Sequence, residues 1–507
     1  MKMMFILLIF FALWDPSTCV GEEQVVDLSR TSLWGPGLNP EQIVMRARYI
    51  FVRLYDTNGN ALSKSPGEES LTAEIHGTGA DGGFCRVWVQ TLDCIDGVFI
   101  VRYRLYHTCF KMKISIKFKG KHVSSSPLTF SGPVYEEECY CPEQSVTEWL
   151  KNNKCTQCNH SQIINDLKPF NSVNFEMIRE EIIKKYHRPN SVSICHYVVK
   201  DNKIYRQCYG QHVGFKLFAD AILMSLARKV QLPDIELFVN LGDWPLVQKS
   251  GPAYPVFSWC GSDNTIDIVM PTYDITESSI ENMGRVMLDM LSVQSNVKTP
   301  WDSKIDKVFW RGRDSRRERL DLIDIARKHP DLINASITNF FFFRDEMDKY
   351  GPGEKHISLF EFFKYKYQLN IDGSVAAYRF PYLLAGGSLV LKQDSEYYEF
   401  FYKQLERNKH YVPVKKDLSD LVEKITWARE HDEEAFAISR AGQSFTRDNL
   451  LPEHIFCYHV SLFHEWSKRI RSTVKVLPGM EEVPQPEHSC ECHRLEDEAP
   501  QGIRDEF

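Results

Sequence analysis

The spacing of hydrophobic and polar positions changes once along the chain, and that change divides it. From about residue 25 to 135 apolar residues alternate with polar ones. Residues 49–55, 86–90, 98–106 and 113–118 each read as a strand, with Asp56-Thr57-Asn58-Gly59-Asn60, Asp96-Gly97 and Lys119-Gly120-Lys121 as turns. Several short strands at regular spacing predict a β-sandwich. After Gly132-Pro133 the period lengthens. Phe215, Phe218, Ala219, Ile222, Leu223 and Leu226 follow helical spacing, and residues 418–430, 432–445 and 454–470 read as further amphipathic helices. Short apolar runs at 235–241, 266–270, 308–310 and 389–391 lie between helices and read as buried strands; residues 337–343 are almost wholly apolar and aromatic. Strands alternating with helices in this way predict two parallel-sheet halves with a ligand cleft between them.

Three stretches within that pattern bear candidate chemistry. The run that begins at Ile235 stops on Gly242-Asp243-Trp244-Pro245, which places Asp243 at the carboxyl end of a strand, where open α/β sheets hold their ligands. A carboxylate there, beside Trp244, suits a general base; the plainer reading is an aspartate that opens a turn. Trp310-Arg311-Gly312-Arg313-Asp314-Ser315-Arg316-Arg317-Glu318-Arg319 follows a strand and enters a helix. Guanidinium forks at the positive end of a helix suit a diphosphate; the alternative is a solvated first turn in which Asp314 and Glu318 neutralise the arginines. Asp372-Gly373-Ser374-Val375-Ala376-Ala377-Tyr378-Arg379-Phe380-Pro381 is small and opened by glycine. It allows a backbone to approach a ligand closely and delivers Arg379 to a phosphate, or else it serves tight helix–sheet packing. His212, His356 and His454 show no ligand spacing, and the P-loop and dinucleotide glycine fingerprints are missing.

Composition narrows the setting. A chain of 507 residues predicts about three domains. The net charge of -7 supplies no basic field for nucleic acid. Residues 1–20 read as a signal peptide, with Lys2 as the positive flank, an apolar core over 3–14 and small residues at Ser17, Thr18 and Gly21; no later stretch is long and apolar enough to span a membrane. A lumenal or secreted protein is expected. Losing Cys19 leaves 14 − 1 = 13 cysteines, an odd number that implies a free or intermolecular thiol. Cys139, Cys141, Cys155 and Cys158 are spaced like zinc ligands, yet in a secreted chain disulfides are favoured, with Cys141 to Cys457 the expected link. Asn159 and Asn334 open glycosylation sequons. The acidic tail, 481–507, holds Cys490 and Cys492 and is expected to be mobile.

Two resemblances gather these features. Trp34-Gly35-Pro36-Gly37-Leu38, Asp96-Gly97 and Ser126-Pro127-Leu128 resemble a filamin-type immunoglobulin-like repeat over residues 24–134, a module that binds or spaces and contains no catalytic set. Asn240-Leu241-Gly242-Asp243-Trp244-Pro245, the Arg-rich loop and residues 374–380, in this order, resemble the Rumi-type protein O-glucosyltransferases; the repeat and the tail narrow the likeness to the branch with a KDEL-type terminus. The resemblance implies a multidomain protein: an immunoglobulin-like β-sandwich, then an α/β GT-B-like transferase over 135–480 with two Rossmann-like halves divided near 300. It implies an inverting transfer of glucose from UDP-glucose to a serine of EGF-like domains such as those of Notch, with UDP-xylose as a second candidate donor and no cofactor or metal. The absence of any Asp-x-Asp triplet fits that last point, since leaving-group charge then falls to arginines and helix dipoles. By the same resemblance Asp243 is the catalytic base. Tyr273 faces donor and acceptor. Arg313, Ser315, Arg319, Ser374, Val375, Ala376, Ala377, Tyr378 and Arg379 form the UDP-sugar loops. The terminus Arg504-Asp505-Glu506-Phe507 departs from Lys-Asp-Glu-Leu but keeps the acidic pair and an apolar end, so a KDEL-type retention receptor and the endoplasmic reticulum lumen are implied, with some secretion. The alternative function is a non-catalytic lumenal chaperone or binding protein for EGF-like domains.

Overall fold

A computed structural model describes residues 25–155, 161–187, 193–280, 290–488, 490 and 492. The expected signal peptide, Asn159 and the Arg504-Phe507 terminus lie outside the described residues. The amino-terminal domain is the expected sandwich. One sheet runs Ser32–Trp34, Arg48–Arg53, Val98–Leu105, Val87–Asp93; the other pairs Leu71–Thr78 with Phe110–Phe118, which also takes Lys121–His122 and Leu128–Phe130. Ile50, Val52, Phe99, Val101, Ile114 and Ile116 fill the space between the sheets. Arg48–Arg53 is buried on both faces because its other side, with Tyr49 and Phe51, joins the core of the following domain. The repeat is thus packed onto the transferase rather than tethered beside it.

The two α/β halves follow. In the second, Ile333–Ile337, Ile305–Gly312, Tyr365–Asn370, Leu389–Gln393 and Val412–Val414 form one sheet, parallel throughout as expected. The first half departs from expectation. Its sheet runs Ile268–Val269, Val256–Ser258, Ile235–Asn240, Ile194–Lys200, Lys203–Tyr209, Glu481–Val483, and only the first three strands are parallel. Asp201 and Asn202 both take positive φ (51° and 61°) in a two-residue turn, which folds the chain straight back and leaves no room for a crossover helix. Glu236, the one charge within the central strand, is fully buried and met by Arg179 Nε at 2.7 Å and His196 Nε2 at 2.8 Å. The closing helix Pro452–Ser467 returns to the first half, where Trp466 Nε1 donates to Glu236 O at 2.9 Å.

Two expectations about the cysteines and the tail are corrected. Cys457 pairs with Cys155, and Cys141 with Cys492; the proposed Cys141–Cys457 link does not form. The favoured disulfide reading holds for Cys139, Cys141 and Cys155, with Cys139 bonded to Cys490; Cys158 lies outside the described residues. The tail is anchored through Cys492 by these two links and by the edge strand Glu481–Val483, where a long acidic sequence had suggested mobility. Cys94 and Cys260 are buried free thiols among the described residues.

Candidate active site

Asp243 is held by a network beneath its turn. Fully buried Asn240 donates to Trp244 O at 2.7 Å and accepts from Gly242 N at 2.8 Å, closing the turn around it. Asp267 takes the next backbone N–H groups, Leu246 and Val247, each at 2.8 Å. Trp244 itself is 48% exposed, so the expected apolar neighbour of Asp243 is other than Trp244. The environment comes mostly from the same half, with Tyr378 added from across the cleft. Tyr273 opens the helix Tyr273–Ile280 and donates its hydroxyl to Asp243 Oδ1 at 3.4 Å. Its ring is packed by Phe215, Phe218, Trp259 and Tyr378, with centroids 5.0–5.8 Å away. Burial pushes the Asp243 carboxyl above the usual aspartate range, and the Tyr273 hydroxyl and the Arg313 charge draw it part of the way back. A carboxylate made more basic by burial suits a general base.

The Arg-rich loop leaves the strand Ile305–Gly312 and enters the helix Arg317–Lys328. Its arginines do different things. Arg313 is exposed, with its guanidinium 5.3 Å from the Phe341 ring. Arg319 is 5% exposed and donates to three carbonyls: Asp372 at 2.7 Å, Arg313 at 2.9 Å and Ile371 at 3.2 Å. A further contact reaches Ser315 Oγ at 3.4 Å. Burial, then the neighbouring Arg379, pulls its guanidinium down to about 9, still cationic at neutral pH. Arg319 therefore clasps the Arg-rich loop to the 371–374 segment, and this explains a buried arginine here better than direct ligand contact does. Asp314 does not neutralise the arginines. Its carboxylate, fully buried, accepts from the backbone N–H groups of Phe341, Phe342 and Phe343 at 2.7–2.9 Å and holds that aromatic loop at the rim. Phe341 and Phe342 are 47% and 61% exposed.

The small-residue segment completes the wall. Gly373 N donates to Val375 O at 2.8 Å, Ser374 is half-buried, and Val375, Ala376 and Ala377 are buried. A Cβ on Gly373 would stand 3.3 Å from Arg319 Nη2, which accounts for glycine at this crossing. Half-buried Arg379 donates to Arg311 O at 2.6 Å, and burial lowers its guanidinium to about 10. Asp372 binds Ser395 and Arg316, and Cys260 donates its thiol to Asp243 O at 3.4 Å. No motif singled out Cys260 or Ser395, and Asp372 enters only as the start of the small-residue stretch. The halves also join directly, Gly261–Ser262 pairing with Tyr397–Tyr398.

Residues 151–501 match glycosyl transferase family 90, and residues 25–129 match the filamin/ABP280 repeat. Protein O-glucosyltransferase 2 of Danio rerio is 49% identical over 484 residues, 94% of each chain. Protein O-glucosyltransferase 3 of Homo sapiens is 44% identical over 481 residues, 93% of this chain and 94% of that one. Protein O-glucosyltransferase 1 of Homo sapiens is 33% identical and covers 64% of this chain and 84% of its own length. The chain belongs to glycosyl transferase family 90.

In this family 90 member the expected site residues come from both halves: Asp243 and Tyr273 from the first, Arg313, Ser315, Arg319, Ser374 to Ala377, Tyr378 and Arg379 from the second. Tyr273 and Tyr378 meet across the cleft at 5.5 Å. Asn334 lies apart, in the strand Ile333–Ile337, where its amide donates to Tyr365 Oη at 2.8 Å and accepts from Arg311 at 2.8 Å. Among the described residues no helix is long and apolar enough to cross a membrane.

Proposed function

We propose that this family 90 transferase moves glucose from UDP-glucose to a serine hydroxyl of folded EGF-like domains, with inversion and without a metal, in the lumen of the endoplasmic reticulum. The observation that carries this reading is the pairing across one cleft of an aspartate raised by burial with a cationic, small-residue wall. Asp243 takes the proton as the serine Oγ bonds to the anomeric carbon; the bond from that carbon to the UDP oxygen breaks, and its electron pair leaves on the diphosphate. In-line displacement turns an α-linked donor into a β-linked product. Arg379 and Arg313 face the charge that grows on UDP, and buried residues 375–377 let the donor approach the backbone. Removing one such electrostatic contact costs about 2.7–4 kcal/mol of transition-state stabilisation. The names of the relatives support a protein acceptor and a glucosyl donor. UDP-xylose, smaller by one hydroxymethyl group, is the second donor of this reading. EGF-like domains such as those of Notch are the acceptors, and a KDEL-type receptor retains the protein through Arg504-Phe507.

The test is incubation of a refolded EGF-like domain with the full chain and either sugar nucleotide in the presence of chelator, read by mass spectrometry. One hexose gained from UDP-glucose on one serine is the expected result. No gain with either donor, or a gain only when divalent metal is restored, overturns the reading.

A further inference from the structure

The Asp96-Gly97 turn of the repeat reaches into the transferase. Gly97 has φ +78°, and a Cβ there would stand 2.3 Å from Leu62 O, so the turn closes only on glycine. Asp96 Oδ1 accepts from Val98 N at 3.2 Å, which aims Oδ2 outward. Oδ2 accepts from Arg440 on the helix Asp432–Asn449, and Arg447 Nη2 stands 4.0 Å away. Arg440 Nη1 in turn donates to Gln443 Oε1 at 2.5 Å, and Gln443 Nε2 donates to Ala385 O at 3.0 Å. Ala385 ends the helix Phe380–Ala385, and the residue that precedes this helix is Arg379. A second contact runs to the other half. Ala47 and Arg102 of the repeat line a small cavity with Ser278 and Ser279 of the helix that starts at Tyr273. Tyr382 Oη donates to Ser278 Oγ at 3.4 Å and links the two helices.

We propose that the repeat braces the donor site, and that Asp96 is a positioning residue acting through Arg440 and Gln443 on the Phe380–Ala385 helix and hence on Arg379. The inference rests on the reading of residues 374–379 as a donor loop. The repeat is already fastened by Tyr49, Phe51, Leu92 and Ile100 in the shared core, so the polar chain adds direction to an attachment that does not depend on it. Coupling of this kind is carried by contiguous hydrogen bonds between packed elements and is measured by loss of additivity.

The experiment uses the full chain, with Asp96→Asn, Arg440→Ala, the double variant and Arg440→Lys. A control, Lys298→Ala, removes the exposed Lys298–Glu68 pair (2.7 Å), which also joins the two domains but leads to no site element. Donor and acceptor KM, kcat, UDP affinity and Tm are measured. For Asp96→Asn and Arg440→Ala the donor KM and the UDP Kd rise about three- to tenfold, the scale of one weakened polar link. Acceptor KM and Tm stay near wild type, the double variant is no worse than either single one, and Arg440→Lys, which keeps the charge beside Asp96 but not the fork, recovers part of the loss. Unchanged donor affinity in both single variants, with a wild type that binds UDP, overturns the brace alone. A large fall in Tm in both shows a fold contact and overturns the positioning role. A wild type that does not bind UDP overturns the donor-loop reading and the brace with it.

Discussion

Replacing Arg319 by lysine isolates what the buried guanidinium does. The charge is kept, but the fork that reaches the carbonyls of Asp372, Arg313 and Ile371 is lost. A lysine Nζ at the end of an unbranched stem replaces one of these bonds at best, leaving two buried carbonyls unmet. At about 1–3 kcal/mol for each unsatisfied group, and with partial relaxation of the loops, the loss is about 3 kcal/mol. For a domain of this size that lowers Tm by about 4 °C. The larger effect falls on the site, because the clasp is what holds the Arg-rich loop against the 371–374 segment. Hydrogen exchange at 312–315 and 371–374 should rise while exchange in the strand Leu389–Gln393 stays unchanged, and UDP should bind about tenfold more weakly. A variant with wild-type exchange and wild-type UDP affinity would refute the clasp, whatever its melting temperature.

Other expectations are separate. Tyr273→Phe removes the hydroxyl that lowers the Asp243 carboxyl, so the acid limb of the pH–kcat/KM profile should move to higher pH with the alkaline plateau retained; an unmoved limb contradicts that coupling. Glu399 is fully buried, and burial pushes its carboxyl up to about 8. Its folded value is raised, so its contribution to stability is complete below the unfolded value of about 4.3 and is lost as pH rises through about 8. Glu399→Gln should therefore flatten the decline in Tm across this window and gain a few kcal/mol, by order of magnitude, at its upper end; parallel Tm–pH curves would contradict it. Asp314→Ala strands three backbone N–H groups, at a cost of about 3 kcal/mol, and should open the 340–346 loop to proteolysis with the rest of the chain resistant.

Much of this architecture was legible from residue pattern, for identifiable reasons. The strand Ile235–Asn240 is an apolar run apart from Glu236 and its last residue, Asn240, and Gly242-Asp243-Trp244-Pro245 is turn chemistry, so Asp243 lands where expected. The second half alternates strand and helix and is parallel. The first half misled because Asp201-Asn202, a two-residue reversal without glycine, is a weak hairpin signal beside the helices that surround it. Cysteine pairings follow from which segments meet: Cys457 lies on a helix that packs over Cys155, a relation no spacing encodes. Arginine-rich loops read alike whether they face an anion or their own carbonyls, so the clasp of Arg319 was hidden. The partners of Asp314 lie 27–29 residues away in the chain, beyond any local motif. Ser395 and Cys260 come from separate segments and carry no signature of their own.

The most direct measurement of the central claim is the rate of hexose transfer to a folded EGF-like domain by wild type, Asp243→Asn and Asp243→Glu, with UDP binding measured on the same samples. The account predicts that Asp243→Asn folds, binds UDP as tightly as wild type and loses about 10²–10⁴ in rate, the usual contribution of a general base. Asp243→Glu should keep part of that rate, because the carboxylate remains but is displaced. Wild-type transfer by Asp243→Asn would contradict the assignment of Asp243 as the base.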